Sequence, residues 1–410
     1  MDPAALALAM LVWHGSVEVA AGRAQLGPWR MNESRWDYVD DATVAVDERG
    51  GVAVAWADQG RKDVFFRSYS AQGKARGEAL NVSRSPKSFS WLPRIALDAT
   101  GRVFILWQEI IFSGGSHGGE ILFARSADGG KTFSRPLNLS NSRAGDGKGR
   151  LTAEVWHNGS LDLAVGSDGT LYAAWTEYEG ALWIRHSRDA GKTFSDPLRI
   201  PDAKPARAPA LAVSAQTVHL AWTVGDDEAA DIRVAKSTDG GKSFAAPAIV
   251  EKSKGYSDAP KIALDARGVL HLVYAESERG RFGGRHVRYT RSGDGGASYE
   301  RPRDISGSNA GFPALGIDAK GNLYVLWERF AEHPLRSRGL GLALSEDGGR
   351  SFKSAQVPES TGAGWNGSLQ GMLMRKLAVS GQGAFAIVNS SIKENDASRV
   401  WLVRGQLQPR

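Results

Sequence analysis

The sequence predicts an all-β chain, a β-propeller of four-stranded antiparallel blades, with seven blades favoured and six the alternative. Two repeated patterns and the composition predict it. The first pattern is S-x-D-x-G-x-[ST]-[FY], with its aspartate at Asp128, Asp189, Asp239, Asp294 and Asp347. The second is apolar-Ala-apolar, a turn, then an alternating run ending in an aromatic residue. The spacing of 50–61 residues between successive aspartates is that of a repeat architecture. The 410 residues include 49 glycines, as many tight turns require, and no cysteine. That excludes disulfides, thiolate metal sites and a cysteine nucleophile together.

The elements follow in order. Ala4 to Trp13 is a short apolar run, and Gly22-Arg-Ala24 has the small-x-small form of a cleavage site. Residues 1–24 are therefore expected to be a signal peptide, although no basic segment precedes the run. Residues 25–410 are expected to be a single propeller domain, periplasmic or secreted. No stretch reaches the ~18 apolar residues of a spanning helix. The second pattern then appears seven times: Val44 to Trp56, Ile95 to Trp107, Leu161 to Trp175, Leu211 to Trp222, Ile262 to Tyr274, Leu315 to Trp327 and Leu377 to Val388. Alternation of period two bounded by Gly and Asp marks paired strands. A third strand leads into the aspartate motif, and a short fourth, often opened by proline, follows it, as at Pro136–Leu139, Pro197–Ile200 and Pro247–Val250. The last unit lacks its own fourth strand. Pro28 to Asn32 matches the others in form and is expected to complete it, which leaves no bare edge.

The aspartate motif has the chemistry of a turn. Its carboxylate accepts from backbone N–H groups just downstream, its glycine supplies φ > 0, and its hydroxyls bond the loop's own backbone. A ligand site built on it is the alternative. The recurring Trp56, Trp107, Trp175, Trp222 and Trp327 occupy equivalent places. Equivalence favours packing between units over sugar stacking. The net charge of +6 is scattered among 45 acidic residues, without the basic block that nucleic-acid binders carry.

With five copies in register with a four-strand unit, the motif resembles the Asp-box, or BNR repeat, and nearly the whole chain resembles the sialidase superfamily. That resemblance implies boxes joining the outer two strands of each blade, on the side away from the active face. It also implies a tyrosine nucleophile assisted by a glutamate, an aspartate acid/base and three arginines that clamp a carboxylate. Pro93-Arg94-Ile95 is the nearest match to the first arginine's stretch, without its leading aromatic and following proline. Tyr256 and Glu276 resemble the tyrosine segment, and Asp58 the acid. Arg207 and Arg375 are candidates because each lies just before an innermost strand.

Independently of any family, Asp58, Glu109, Glu177 and Glu276 each stand two residues past the recurring aromatic. Trp156-His157-Asn-Gly-Ser160 and Trp365-Asn-Gly-Ser368 resemble each other, and could flank one pocket or be two similar turns. Candidate catalytic residues are thus Tyr256, Glu276, Asp58 and Glu177. Candidate binding residues are Arg94, Arg207, Arg375, Trp156, His157 and Trp365. His117 has no partner at metal-ligand spacing, so neither metal nor cofactor is expected. The expected partner is a glycan or glycoconjugate, with no nucleic acid, no membrane span and a monomeric chain. The expected function is that of a sialidase-like propeller acting on or recognising glycans, its catalytic form an exo-glycosidase releasing a terminal acidic sugar. A non-catalytic glycan- or protein-binding propeller is the alternative, and a polysaccharide lyase with its base near Trp156-His157 a third.

Overall fold

A computed structural model of the protein describes residues 11–26, 36–85, 88–113, 116–141, 160–177, 180–203, 205–225, 229–253, 255–278, 280, 284–330, 337–367 and 374–408. Among them there is no helix. Hence none is long and apolar enough to cross a membrane.

The strands come as antiparallel quartets. Val39–Val46, Val52–Asp58, Asp63–Tyr69 and Leu80–Asn81 form one sheet, and Phe89–Leu97, Val103–Ser113, Ser116–Ser126 and Leu137–Asn138 the next. Leu161–Val165, Leu171–Thr176, Leu182–Ser187 and Leu198–Arg199 form a third. Two further quartets open with Ala206–Ser214 and Tyr256–Leu264, and one parallel bridge, Ala230 to Tyr256, joins them into an eight-stranded sheet. The remaining strands form a nine-stranded sheet. It holds the quartet from Ala310–Ile317 to Lys353–Gln356, and then Leu377–Val379, Ala384–Lys393 and Ala397–Leu407. The fourth strands are shorter than the sequence suggests: Pro136–Leu139 contributes only Leu137–Asn138 to its ladder.

An N-terminal strand does complete the last sheet, but it is Leu11–Gly22, antiparallel to Ala397–Leu407. The expected closing segment, Pro28–Asn32, lies outside the described residues. The apolar run around Leu11 explains the difference. Leu11 joins the core cluster of Leu407 and Val403, and Val19 joins that of Val400 and Leu402.

The recurring aromatics are packing residues. Trp56 lies with Val44 and Val54 of its own unit and Val388 and Leu402 of the last. Trp107 packs with Ala45, Ala53 and Phe66 of the unit before it, and Trp175 with Ala96, Phe104 and Phe123. Trp222, Tyr274 and Trp327 repeat the arrangement. The first strands of successive units also pack on one another, and Leu377–Val379 packs back on Val39–Val46. Close approach explains the small residue between the two apolar ones. At Gly316, which takes its place in one unit, a Cβ would stand 2.4 Å from Val379 Cγ2.

The five aspartate turns join third to fourth strands. Ser126 Oγ donates to Asp128 Oδ1 (2.7 Å) and accepts from Gly130 N (2.8 Å). Asp128 Oδ1 also accepts from Lys131 N and Thr132 N, and Oδ2 from Thr132 Oγ1 at 2.6 Å. Asp189, Asp239, Asp294 and Asp347 accept the same set. These bonds to the charged form hold the carboxyl groups well below their ordinary range. All the acceptor capacity seen is spent inside the turn, as a fold-stabilising role requires.

Candidate functional site

The site begins with a backbone irregularity repeated in five first strands. Their ladders shift register between Asp40 and Thr43, Trp91 and Arg94, Arg207 and Ala210, Asp258 and Lys261, and Gly311 and Ala314. Each bulge carries a non-glycine residue at positive φ: Asp41 (54°), Leu92 (53°), Ala208 (50°), Ala259 (53°) and Phe312 (52°). In four of the five, proline follows directly, at 93, 209, 260 and 313. Proline is tolerated there because a bulge leaves its residue out of the ladder. Such backbone costs about 1–3 kcal/mol per residue and persists only where the surroundings enforce it.

The residues just past the bulges occupy equivalent register positions. Arg94, Lys261 and, in the third unit, Asp162 each precede the first apolar residue of apolar-Ala-apolar. Asp162 and Lys261 line a cavity of about 340 Å3 enclosed by the first strands of the units. Arg375 lines it too, and among the described lining residues these three are the charged ones. Asp162 Oδ1 accepts from Arg375 Nη2 at 2.7 Å and stands 3.7 Å from Arg94 Nε, while Oδ2 accepts from Leu211 N at 2.9 Å. Two arginines thus share one carboxylate, with Lys261 on the same cavity wall. Arg94 is buried, and burial lowers it to about 10 despite Asp162. Lys261 is lowered to about 7. Burial is the main cause, Arg94 and Arg375 push the same way, and Asp162 and Asp258 oppose them.

A second buried group adjoins it, on residues just before the bulges. Arg207 Nε is 3.5 Å from Asp258 Oδ1, and its guanidinium lies over the Tyr256 ring, 5.0 Å from the centroid. The Tyr256 hydroxyl donates to Asp258 Oδ2 at 3.3 Å, and Thr223 Oγ1 and Ala259 N donate to Oδ1. Burial raises the Asp258 carboxyl, but Arg207, Arg285 and these bonds outweigh it and hold the group low. A third group joins Lys376 to the Glu328 carboxylate, with Asp40 and Asp41 also acting on the lysine.

The structure therefore gathers Arg94 with Arg375, and Arg207 with Tyr256. The carboxylate on the tyrosine is Asp258. Glu276 pairs in the ladder with Ser257, so it lies on the opposite face of the sheet from Tyr256 and Asp258. One of its oxygens accepts from Ser253 Oγ, and the other meets Arg288 at 3.2 Å. Asp58 caps its own hairpin, accepting from Arg61 N and pairing with the Arg61 guanidinium at 3.4 Å. Glu177 stands at a hairpin, its amide donating to Ala181 O. Glu109 is held by the hydroxyls of Ser85, Ser88 and Ser90. Trp365 packs with Ile392, Tyr38 and Trp36 in a separate apolar cluster. Trp156 and His157 lie outside the described residues.

Sequence reasoning missed Asp40, Asp41, Asp162, Asp258, Lys261, Arg285, Glu328 and Lys376. A signal for several of them was present: the [Leu/Ala/Phe]-Pro pair that opens four first strands, with chemistry-bearing residues on either side. A larger groove, about 790 Å3, is lined by Trp13, Arg404 and Gln406. Two of its polar side chains are bonded within the fold, Arg404 to Ala71 O and Gln406 to Gln382 O.

No protein-family model matches the chain, and no curated protein matches its sequence. Solved structures do match. An ulvan lyase described as a polysaccharide lyase superposes with a TM-score of 0.59, at 15% identity, over 94% of this chain and 95% of that one. An α-L-arabinofuranosidase of Fusarium graminearum gives 0.52 at 15% identity, over 78% and 94%. A sialidase from Streptococcus pneumoniae gives 0.49 at 11%, over 76% and 68%. The class defined is an all-β chain of four-stranded antiparallel sheets that shares its fold with glycan-acting enzymes. Identities this low establish the fold and no more.

Proposed function

We propose that the protein is a seven-bladed, sialidase-like Asp-box β-propeller, closed by its N-terminal strand, that acts on or recognises acidic glycans. The observation that carries this reading is the placing of Arg375 and Lys261 with Asp162 on the wall of the central cavity, with the buried Arg94 3.7 Å from the same carboxylate. An excess of cations in a partly dry concavity is what a sugar carboxylate would complete, and arginine's planar fork matches a carboxylate bidentately. A volume of about 340 Å3 lies at the small end of the range for ligand pockets and accommodates one sugar ring. The ulvan lyase and the arabinofuranosidase of the same fold, both named for glycan chemistry, support a glycan as the substrate.

In the hydrolytic form of this reading Tyr256 is the nucleophile. Asp258 accepts its hydroxyl proton, and Arg207 over the ring stabilises the phenolate. Asp258 thus takes the part that the family resemblance gives to a glutamate. The test is release of fluorophore from a 4-methylumbelliferyl sialoside by the full chain, beside Tyr256→Phe, with calorimetric titration of free sialic acid and glucuronate. Turnover by the parent and a loss of at least ~10²-fold in the variant are expected if hydrolysis is the activity. Binding without turnover leaves a glycan-recognition or non-hydrolytic propeller. Binding of neither acid removes the reading.

A further inference from the structure

We propose that Lys261 is the Brønsted base of a β-elimination on a hexuronate whose carboxylate is held by Arg375. The inference rests on the reading of this cluster as a carboxylate pocket and goes beyond it to the reaction and the reacting atom.

Geometry comes first. Lys261 shares its register position with Arg94 and Asp162, and it lines the same cavity as Asp162 and Arg375. The bulge at Asp258–Lys261, with Ala259 at a φ of 53°, fixes where the side chain leaves the strand. A proton on the carbon next to a carboxylate is weakly acidic. Its removal needs two things in one place: cations on the carboxylate, to take the charge that develops there, and a neutral base beside it. Arg375, on the cavity wall, supplies the first, and the buried Arg94 adds its charge to the cluster. A lysine supplies the second only when its ammonium form is disfavoured. The groups facing Lys261 are Arg94, Arg375, Asp162 and Asp258, and their sum with burial brings it to about 7. A substantial fraction is then unprotonated at neutral pH, as a base requires.

The step balances within the pocket. The C5–H proton passes to Lys261 Nζ, and the C–H electron pair becomes the C4=C5 double bond. The C4–O bond breaks, its electron pair leaves with the glycosidic oxygen, and that oxygen takes a proton from solvent. No oxidant or reductant is involved. The products are a saturated reducing end and a 4,5-unsaturated uronate.

The full chain is to be incubated with glucuronate-, iduronate-, mannuronate- and galacturonate-containing polymers, and the near-ultraviolet absorbance of the unsaturated product followed. Lys261→Arg keeps the positive charge but removes the base at neutral pH. It is expected to lower kcat by ~10²–10⁴-fold with KM within about threefold of the parent. Arg375→Gln is expected to act mainly through KM. The parent's kcat/KM is expected to rise with pH through about 7. That profile tests the base without a variant, should Lys261→Arg fail to fold. An undiminished rate in Lys261→Arg, or a profile flat through 7, overturns the assignment of Lys261. Calorimetric binding of uronate with no unsaturated product overturns the elimination and leaves the carboxylate pocket standing. Absence of uronate binding removes both.

Discussion

Asp162 is the residue on which the central cluster balances. It accepts from Arg375 and from the Leu211 amide, and it is the carboxylate nearest to Arg94. Two arginines and a lysine held together without it would repel one another in a poorly solvated place. Removing one partner of a buried ionic group typically costs about 3–5 kcal/mol, because the remaining charge loses its compensation. Asp162→Asn preserves shape and deletes only the charge, so urea unfolding is expected to show a loss of about that size. A loss under about 1 kcal/mol would mean that solvent reaches the cluster and screens it. A bound sugar acid would offer the same cations a second carboxylate, so added uronate is expected to restore part of the lost stability. The cluster was only half legible in the sequence. Arg375 stood out because it lies just before an innermost strand, and Arg94 because Pro93-Arg94-Ile95 is the nearest match to the first arginine's stretch in the family that the chain resembles. Asp162 and Lys261 hold Arg94's register position in the third and fifth units, but nothing local marks a residue whose partners lie in other units.

The repeated turns show at the scale of the element why the motif is written as it is. The position after its aspartate, most often glycine, and the fixed glycine that follows do different work. Gly129, at a φ of 74°, has no atom within 4 Å of where a Cβ would stand, so only its backbone angle asks for glycine. The third unit's turn places Ala190 at the equivalent position, at a φ of 58°. Gly191 has a φ of 76° and lies flush against the Phe123 ring, where a Cβ would approach Cε1 to 2.6 Å. Gly130 meets Phe66 in the same way. Gly129→Ala is therefore expected to cost about 1 kcal/mol from the left-handed backbone alone. Gly191→Ala adds overpacking of about 1–3 kcal/mol to the same strain. Thermal unfolding of the two variants side by side checks the difference, and equal losses would remove the packing role of the second glycine. These turns were readable in the sequence because every hydrogen bond in them spans at most four residues. The bulges at 41, 92, 208, 259 and 312 were not, because a left-handed non-glycine residue has no residue type of its own. Only the proline that follows four of them betrays the position.

At the scale of the whole molecule the open question is the N-terminus. Leu11 to Trp13, the described end of the apolar run that reads as a leader, belong to the outermost strand of the last sheet. Leu11–Gly22 pairs with Ala397–Leu407 over most of its length, and Leu11 and Val19 are buried in two different core clusters. Hydrophobicity alone does not separate a leader from an edge strand, which is why the sequence led to a different closing segment. The two readings demand different things of residues 1–24. Removing them would expose the hydrogen-bonding edge of Ala397–Leu407, an invitation to association between chains. It would also forfeit two buried aliphatic side chains, each worth about 1.5–3 kcal/mol. A chain starting at Gln25 is therefore expected to unfold with about 3–6 kcal/mol less stability than the full chain and to self-associate on size-exclusion chromatography with light scattering. Restoring the strand as a separate peptide spanning residues 9–24 is expected to recover the monomer, since the peptide supplies the same ladder and the same two side chains. A truncated chain as stable and as monomeric as the parent would mean that residues 27–35 take over the edge, and the first 24 residues would then be free to serve as a leader.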